Sequence, residues 1–455
     1  MLLGRTAELK YLKNYYEKEG SQLVILYGRK NIGKTELIKE FCADKTYSYY
    51  LAKPCSEYEQ ICLWSSELSE DRSRQKVVER RFDSIFQAIT ELKSPKKVIV
   101  IDEFQYIVKN SDTFMDEVVR LIHNKWNNQP VMIVMCSSSI GWIENSMVSK
   151  MGENAYEITG LLKINELKFL DVVRRFPKYT MEQCVEAYAI LGGVPGLWRY
   201  WDENLSIEQN IEQNIIRPGM VLSEEGSRDV AEELRETSVY HTILTTLASG
   251  KHKLNDLHNH TGFNRAKISV YLKNLMELEL VEKVYSYDTA GKDNAQKGIY
   301  KISNHYVHFW FRYIFPHMSK QGLLSEEEYY TKYIAPSFRT YTATYFTKVC
   351  TEYLELMNQM NKLSFKYEKS GSWVGKVGTI DIVAEDEEGH TLVGMCSWER
   401  SLMTYDDYEW LLFCVEKAKL NVDYIYLFSV DGFDEKLNLE AKVKKNIILI
   451  DISQL

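Results

Sequence analysis

The stretch SQLVILYGRKNIGKT, residues 21–35, decides how the rest of the chain is read. Leu23-Val24-Ile25-Leu26 is an apolar run without polar alternation, the pattern of a strand buried on both faces. Gly28-Arg29-Lys30-Asn31-Ile32-Gly33-Lys34-Thr35 follows and fits G-x-x-x-x-G-K-[ST], the phosphate loop. Residues 36–43 then place Leu37, Ile38 and Phe41 on one helical face. Strand, glycine-rich loop and helix in that order is the context the motif requires. Gly28 and Gly33 let the backbone approach a phosphate chain closely. The loop amides and the helix N-terminus offer partial positive charge to it. Lys34 is expected on the β- and γ-phosphates and Thr35 on Mg²⁺.

Residues 97–103, KVIVIDE, supply the second half of such a site. A buried strand ends in two carboxylates. Asp102 is expected to hold Mg²⁺ through water opposite Thr35, and Glu103 to orient and deprotonate an attacking water. Val131–Cys136 is a further buried strand, ending in Ser137-Ser138-Ser139. Ser137 and Ser138 are placed either to sense a γ-phosphate or simply to turn the chain. Further strand signal at 46–52 and helical signal at 57–70, 77–93 and 112–127 complete an alternating pattern. That pattern predicts a parallel sheet covered on both faces.

The chain has 455 residues, too many for one core. Its 45% hydrophobic and 26% charged residues are those of a globular protein. A net charge of −8 restricts any nucleic-acid contact to a local patch. The 8 cysteines are scattered without a C-x-x-C pair, as expected for reduced thiols in the cytoplasm and not for a disulfide framework or zinc site. The N-terminus lacks the pattern of a signal peptide, and no apolar run approaches the ~20 residues of a membrane span.

The expected architecture is α/β and multidomain: a P-loop NTPase core with a parallel sheet over 1–162, a helical lid over 163–239, a winged helix over 240–304 and an α/β domain over 305–455. Strand signal stops at 163, and the helical stretch is broken at Gly192-Gly193-Val194-Pro195-Gly196. Tyr240–Ser249, Leu254–His260 and Asn264–Leu278 read as three helices, with Gly262 in the turn between the last two. Leu280–Val284 and Gly298–Ile302 read as a hairpin around the polar segment 285–297. Asn264, Arg265, Lys267 and Lys273 lie on the third helix, where a DNA reader carries its contacts. The local excess of basic residues is small, so duplex DNA and a protein partner stand as equal alternatives. After the aromatic segment 305–316 come a helix (330–359), strand-like runs at 363–368, 378–384 and 391–396, a helix at 404–418, and strands at 423–428 and 446–450.

These features together resemble the archaeal-type ATPases of the STAND group, relatives of AAA+ proteins. The markers are Gly4-Arg5, the phosphate loop, Asp102-Glu103, the serine turn, Gly192-Gly193-Val194-Pro195, the winged helix and Ser303-Asn304 leading into Phe309-Trp310. The resemblance implies a slow, switch-like ATP hydrolase, and it adds Gly4, Arg5 and Glu36 to the nucleotide-binding residues. It also implies that the last domain is restriction-endonuclease-like, of the PD-(D/E)XK kind. Asp381 matches that pattern. Met395 and Ser397 stand where it has Glu and Lys, and Thr347 where it has a helical Glu. One carboxylate without the lysine is too little for Mg²⁺-dependent cleavage, so the expectation is a vestigial nuclease fold. Lys150 is the only cation in 150–154, where relatives often carry Arg. The reading competes with a nucleotide-stabilised DNA-binding regulator or scaffold without useful turnover.

Overall fold

A computed structural model describes residues 2–70, 81–91, 96–123, 129–231, 234–289 and 298–455. The chain forms two compact units, Met1–Glu166 with Val194–Gly196, and Leu167–Gly193 with Leu197–Leu455.

In the first unit, β1 (Gln22–Tyr27), β2 (Tyr47–Leu51), β3 (Lys97–Asp102), β4 (Val131–Ser137) and β5 (Gly160–Lys163) make one sheet in the order β2-β3-β4-β1-β5. Every pairing is parallel. Strands β1, β3 and β4 are buried at every position, as their unbroken apolar runs predict. The order seats β4 between β1 and β3, so its terminal serines emerge between the phosphate loop and the Asp102-Glu103 pair. Helix Thr6–Glu17 leads into β1, and helices Lys34–Cys42, Glu57–Glu70, Phe82–Thr90 and Phe114–Ile122 lie between strands. One core on this sheet stacks Tyr50 on Trp64 (4.4 Å between centroids) beneath Phe82, Phe86 and Phe114.

Two sequence expectations need correction here. No strand is read from the sequence at 160–163, yet Gly160–Lys163 is the fifth strand, ending where strand signal is expected to stop. It escapes notice because it is a short edge strand whose Leu161 is exposed. Helix signal at 112–127 shrinks to Phe114–Ile122, with 124–127 outside the described residues. Of the helix expected at 77–93, residues 77–80 and 92–93 likewise lie outside them.

In the second unit, helices Phe169–Arg175, Met181–Leu191 and Val221–Ala231 precede the expected tri-helical module: Thr237–Ala248, Leu254–Thr261 and Arg265–Glu277. The hairpin β6 (Val281–Val284) and β7 (Ile299–Ile302) closes it, while 290–297 lie outside the described residues. A helical run through 305–320 buries Tyr306, Phe309, Trp310 and Tyr313. The last sheet contains β8 (Lys369–Val374), β9 (Thr379–Glu385), β10 (Thr391–Ser397), β11 (Tyr424–Ser429) and β12 (Ile447–Asp451), in the order β12-β11-β10-β9-β8. The strand expected at 363–368 is displaced to β8. Asn358 explains part of the shift: its side-chain amide bonds both the N–H and the carbonyl of Tyr367, at 3.1 and 2.9 Å, in place of a ladder partner. The helix Glu435–Val443, capped by Asp434 on the Leu437 N–H (2.7 Å), was not expected at all.

Two sets of contacts tie this unit together. The long helix Ala335–Gln359 receives the helices Phe169–Arg175 and Met181–Leu191 through Glu352, which accepts from the Tyr188 hydroxyl and the Phe169 N–H, both at 2.7 Å. The root of the hairpin docks on β8. Tyr287 donates its N–H to the Ser372 carbonyl (2.8 Å) and its hydroxyl to Glu385 (2.6 Å), and its ring joins the core of the last domain.

Candidate functional site

The phosphate loop leaves β1 at Tyr27, whose neighbours are Ser137 on β4 and Lys163 on β5. Gly28 must be glycine, since a Cβ there would sit 2.4 Å from the Ile164 carbonyl oxygen. The loop is buttressed from two sides. Arg5, only 3% exposed, donates to the Ile32 carbonyl (2.8 Å) and to Glu8 (2.9 Å). Gly196 donates its N–H to the Asn31 carbonyl (2.8 Å), and a Cβ on it would lie 2.5 Å from the Asn31 Cβ. Asn31 holds the left-handed conformation (φ +60°), and Gly4 turns the chain before Arg5 with φ +67°. Arg29 pairs with Glu166, and Ile32 is buried, whereas Lys30 is exposed. Glu36 pairs with Lys39 at 2.9 Å on the solvent side of the helix, so it works as a surface ion pair there.

Lys34 is buried at 8% exposure and donates to the Gly28 and Arg29 carbonyls at 2.6 and 2.9 Å. Burial lowers its pKa, and the nearby Glu103 and Asp102 carboxylates oppose that. Asp102, at the tip of β3, lies 3.4 Å from the Thr35 hydroxyl and accepts a 2.6 Å bond from Tyr49 on the same Oδ2. Its other oxygen accepts the Glu103 N–H at 3.0 Å. Burial pushes the Asp102 pKa up, and the Tyr49 bond pulls it back.

Glu103 has φ +53°, a conformation costing on the order of 1 kcal/mol for a non-glycine residue. That turn swings its carboxylate toward β4. Oε2 accepts from the Ser138 hydroxyl (2.7 Å), the Ser138 N–H (3.1 Å) and Gln105 Nε2 (2.6 Å). Ser137 is engaged within its own turn, accepting from the Ser139 N–H at 3.1 Å. The structure thus brings Lys34, Thr35, Asp102, Glu103 and Ser138 into one constellation, and it leaves Glu36 outside. Two hard oxygen donors, one hydroxyl and one carboxylate, are of the type that could hold Mg²⁺ together with phosphates and water. Among the described residues, no group of three or more His, Cys, Asp or Glu side chains is placed to hold a metal unaided.

Three neighbours of the site escaped the sequence. Tyr49 reads as an ordinary strand residue and Gly196 as part of a helix break, and nothing in the sequence singles out Gln105. Each acts through contacts whose partner is set by sheet order or by the chain's return, not by local pattern.

On the helix Arg265–Glu277, the outward positions are Arg265, Ala266, Ser269, Val270 and Lys273. Asn264 is spent as the N-cap, accepting from the Lys267 N–H at 2.8 Å. Arg265 donates to Asn255 (2.8 Å), Lys267 lies over the Phe263 ring (4.9 Å), and Lys273 is 3.8 Å from Glu277. In the last domain, Asp381 accepts from the Cys396 N–H at 2.9 Å, and burial raises its pKa. The Cys396 thiol also neighbours Cys350, Asp381 and Thr347.

Residues 2–199 match the sequence model of an ATPase domain predominantly from Archaea. Residues 242–283 match that of bacterial regulatory proteins of the arsR family, and 310–409 match archaeal and bacterial proteins of unknown function. An uncharacterized protein of Methanocaldococcus jannaschii is 29% identical over 404 residues, which is 88% of each chain. An uncharacterized ATP-binding protein of the same organism is 42% identical over 45 residues, 10% of this chain and 76% of its own. Among solved structures, a Walker-type ATPase of Pyrococcus abyssi is 16% identical, covering 68% of this chain and 96% of its own with a TM-score of 0.47. The ORC2 protein of Aeropyrum pernix, solved with ADPNP and ADP, is 12% identical, covering 71% and 95% with a TM-score of 0.44. Residues 2–199 therefore carry an archaeal-type ATPase domain, and a helix-turn-helix module follows it.

Proposed function

We propose that the protein is a Mg²⁺- and ATP-binding switch with slow hydrolysis, coupled to its winged helix. The observation that carries this reading is the single constellation of Lys34, Thr35, Asp102, Glu103 and Ser138 around one phosphate loop. The loop amides and Lys34 bind the phosphate chain. Thr35 and Asp102 would hold Mg²⁺, whose chemistry there is neutralisation of phosphate charge. Glu103 is the base. Ser138 and Gln105 hold one of its oxygens, and Oε1 takes part in none of those bonds, which leaves it to orient a water. No Asn-Lys-x-Asp guanine reader follows the loop, which favours adenine.

For the readout we infer contact with duplex DNA through the outward face of Arg265–Glu277, with a partner protein as the second reading. The hairpin root is committed to β8, so the helix carries the burden of any such contact. The last domain serves as a brace for lid and winged helix, not as a nuclease. No helix among the described residues is long and apolar enough to cross a membrane; we place the protein in the cytoplasm. Steady-state ATP hydrolysis at low salt, with and without duplex DNA, tests the coupling. Stimulation by DNA supports the DNA-linked switch. A rate indifferent to DNA removes DNA as the readout and leaves the partner protein.

A further inference from the structure

Strand β2 alternates exposed and buried residues, and its two central tyrosines do opposite things. Tyr50 is 0% exposed; its ring stacks on Trp64 and its hydroxyl bonds Gln60. It is a core residue. Tyr49 leaves 36% of its surface in solvent, so its ring contributes little to the core. Only its tip is engaged, and it is engaged with Asp102 Oδ2 at 2.6 Å. The register explains the reach. Leu51 lies opposite Asp102 in the parallel pair β2-β3, and Tyr49 stands two residues back on the same face. Its long side chain therefore runs along the strand to the carboxylate. The same hydroxyl has the Thr35 hydroxyl within hydrogen-bonding reach.

We propose that Tyr49 is a positioning residue for the metal-holding carboxylate: its phenol fixes Asp102 so that Oδ2 faces Thr35. The proposal rests on the phosphate-loop reading above. Without that bond, Oδ2 retains the 3.4 Å approach of Thr35, and the carboxylate is held firmly only through Oδ1. Outer-shell groups that orient a metal site typically contribute about 10–100-fold in metal affinity. Tyr49 does not itself touch the phosphate chain in this scheme, so the metal-free nucleotide complex should not sense it.

The test is equilibrium binding of a fluorescent ATP analogue, titrated with Mg²⁺ and repeated in EDTA, for wild type, Tyr49→Phe, Asp102→Asn and the double variant. Tyr49→Phe should raise the Mg²⁺ concentration for half-maximal enhancement by about 10–100-fold. Affinity in EDTA should stay at the wild-type value. In the Asp102→Asn background, Tyr49→Phe should add nothing, since the group it positions is gone. An unchanged Mg²⁺ requirement overturns the proposal, as does an additive effect in the double variant or an equal loss in EDTA. Loss of binding in EDTA by Lys34→Ala marks the separate question of whether the loop binds nucleotide at all. A wild-type protein that binds nucleotide without any Mg²⁺ enhancement overturns the metal reading and Tyr49 with it.

Discussion

Gly196→Ala should weaken nucleotide binding although residue 196 stands far along the sequence from the phosphate loop. The added methyl would sit 2.5 Å from the Asn31 Cβ and 2.8 Å from the Asn31 carbonyl oxygen. Carbon atoms do not approach so closely, so either the loop or the segment Val194–Gly196 must shift. Asn31 already holds a left-handed conformation and its carbonyl accepts the Gly196 N–H, which leaves it little freedom to yield in place. Overpacking of this kind costs typically 1–3 kcal/mol. Expressed as lost affinity, that is about 5- to 150-fold. Isothermal titration with ATP and Mg²⁺ reads the affinity, and thermal melting without nucleotide separates a displaced loop from a weakened fold. A Gly196→Ala protein with wild-type affinity would refute the claim that this segment shapes the loop.

The contacts of Glu352 with Tyr188 and Phe169 make a second set of predictions. Glu352→Ala strands two buried donors, the Tyr188 hydroxyl and the Phe169 N–H, at about 1–3 kcal/mol each, and should lower the melting temperature by roughly 5–10 °C. Glu355→Ala removes only the exposed pair with Lys168 and should melt within about 2 °C of wild type. Glu186 gives a pH test: burial, with Glu182 beside it, raises its pKa to about 7 against the opposing pull of Arg339 and Arg400. The folded state then holds the proton more tightly than the unfolded chain, so this residue's contribution to stability falls as pH rises from about 4.5 to 7, by roughly 3 kcal/mol in all. Glu186→Gln should flatten that slope in denaturant titrations at pH 5 and pH 8; an unaltered slope contradicts the assignment.

Much of this was legible because it is local. The phosphate loop is one contiguous stretch whose glycines, lysine and threonine declare their chemistry by spacing. Strands β1, β3 and β4 are buried on both faces and therefore spelled in unbroken apolar runs. The tri-helical module announced itself through Gly262 and helical periodicity. What stayed hidden is what depends on the third dimension. Tyr49 reaches Asp102 because of strand register, and Gly196 reaches Asn31 because the chain returns. Strand β5 is short and half exposed, and β8 is built from Lys-Ser-Gly-Ser before its Trp-Val, so neither carries a strand's composition. Asn264 is instructive in the other direction. An asparagine directly before a helix is a capping signal, and its side-chain oxygen does cap the helix.

The central claim is that Lys34 and its loop bind ATP. Binding of ATP to wild type and to Lys34→Ala, measured by titration calorimetry with Mg²⁺ present, tests it most directly. Loss of measurable binding in a variant whose melting curve without nucleotide matches wild type is the predicted result. Equal affinity in the two proteins would contradict the account at its root.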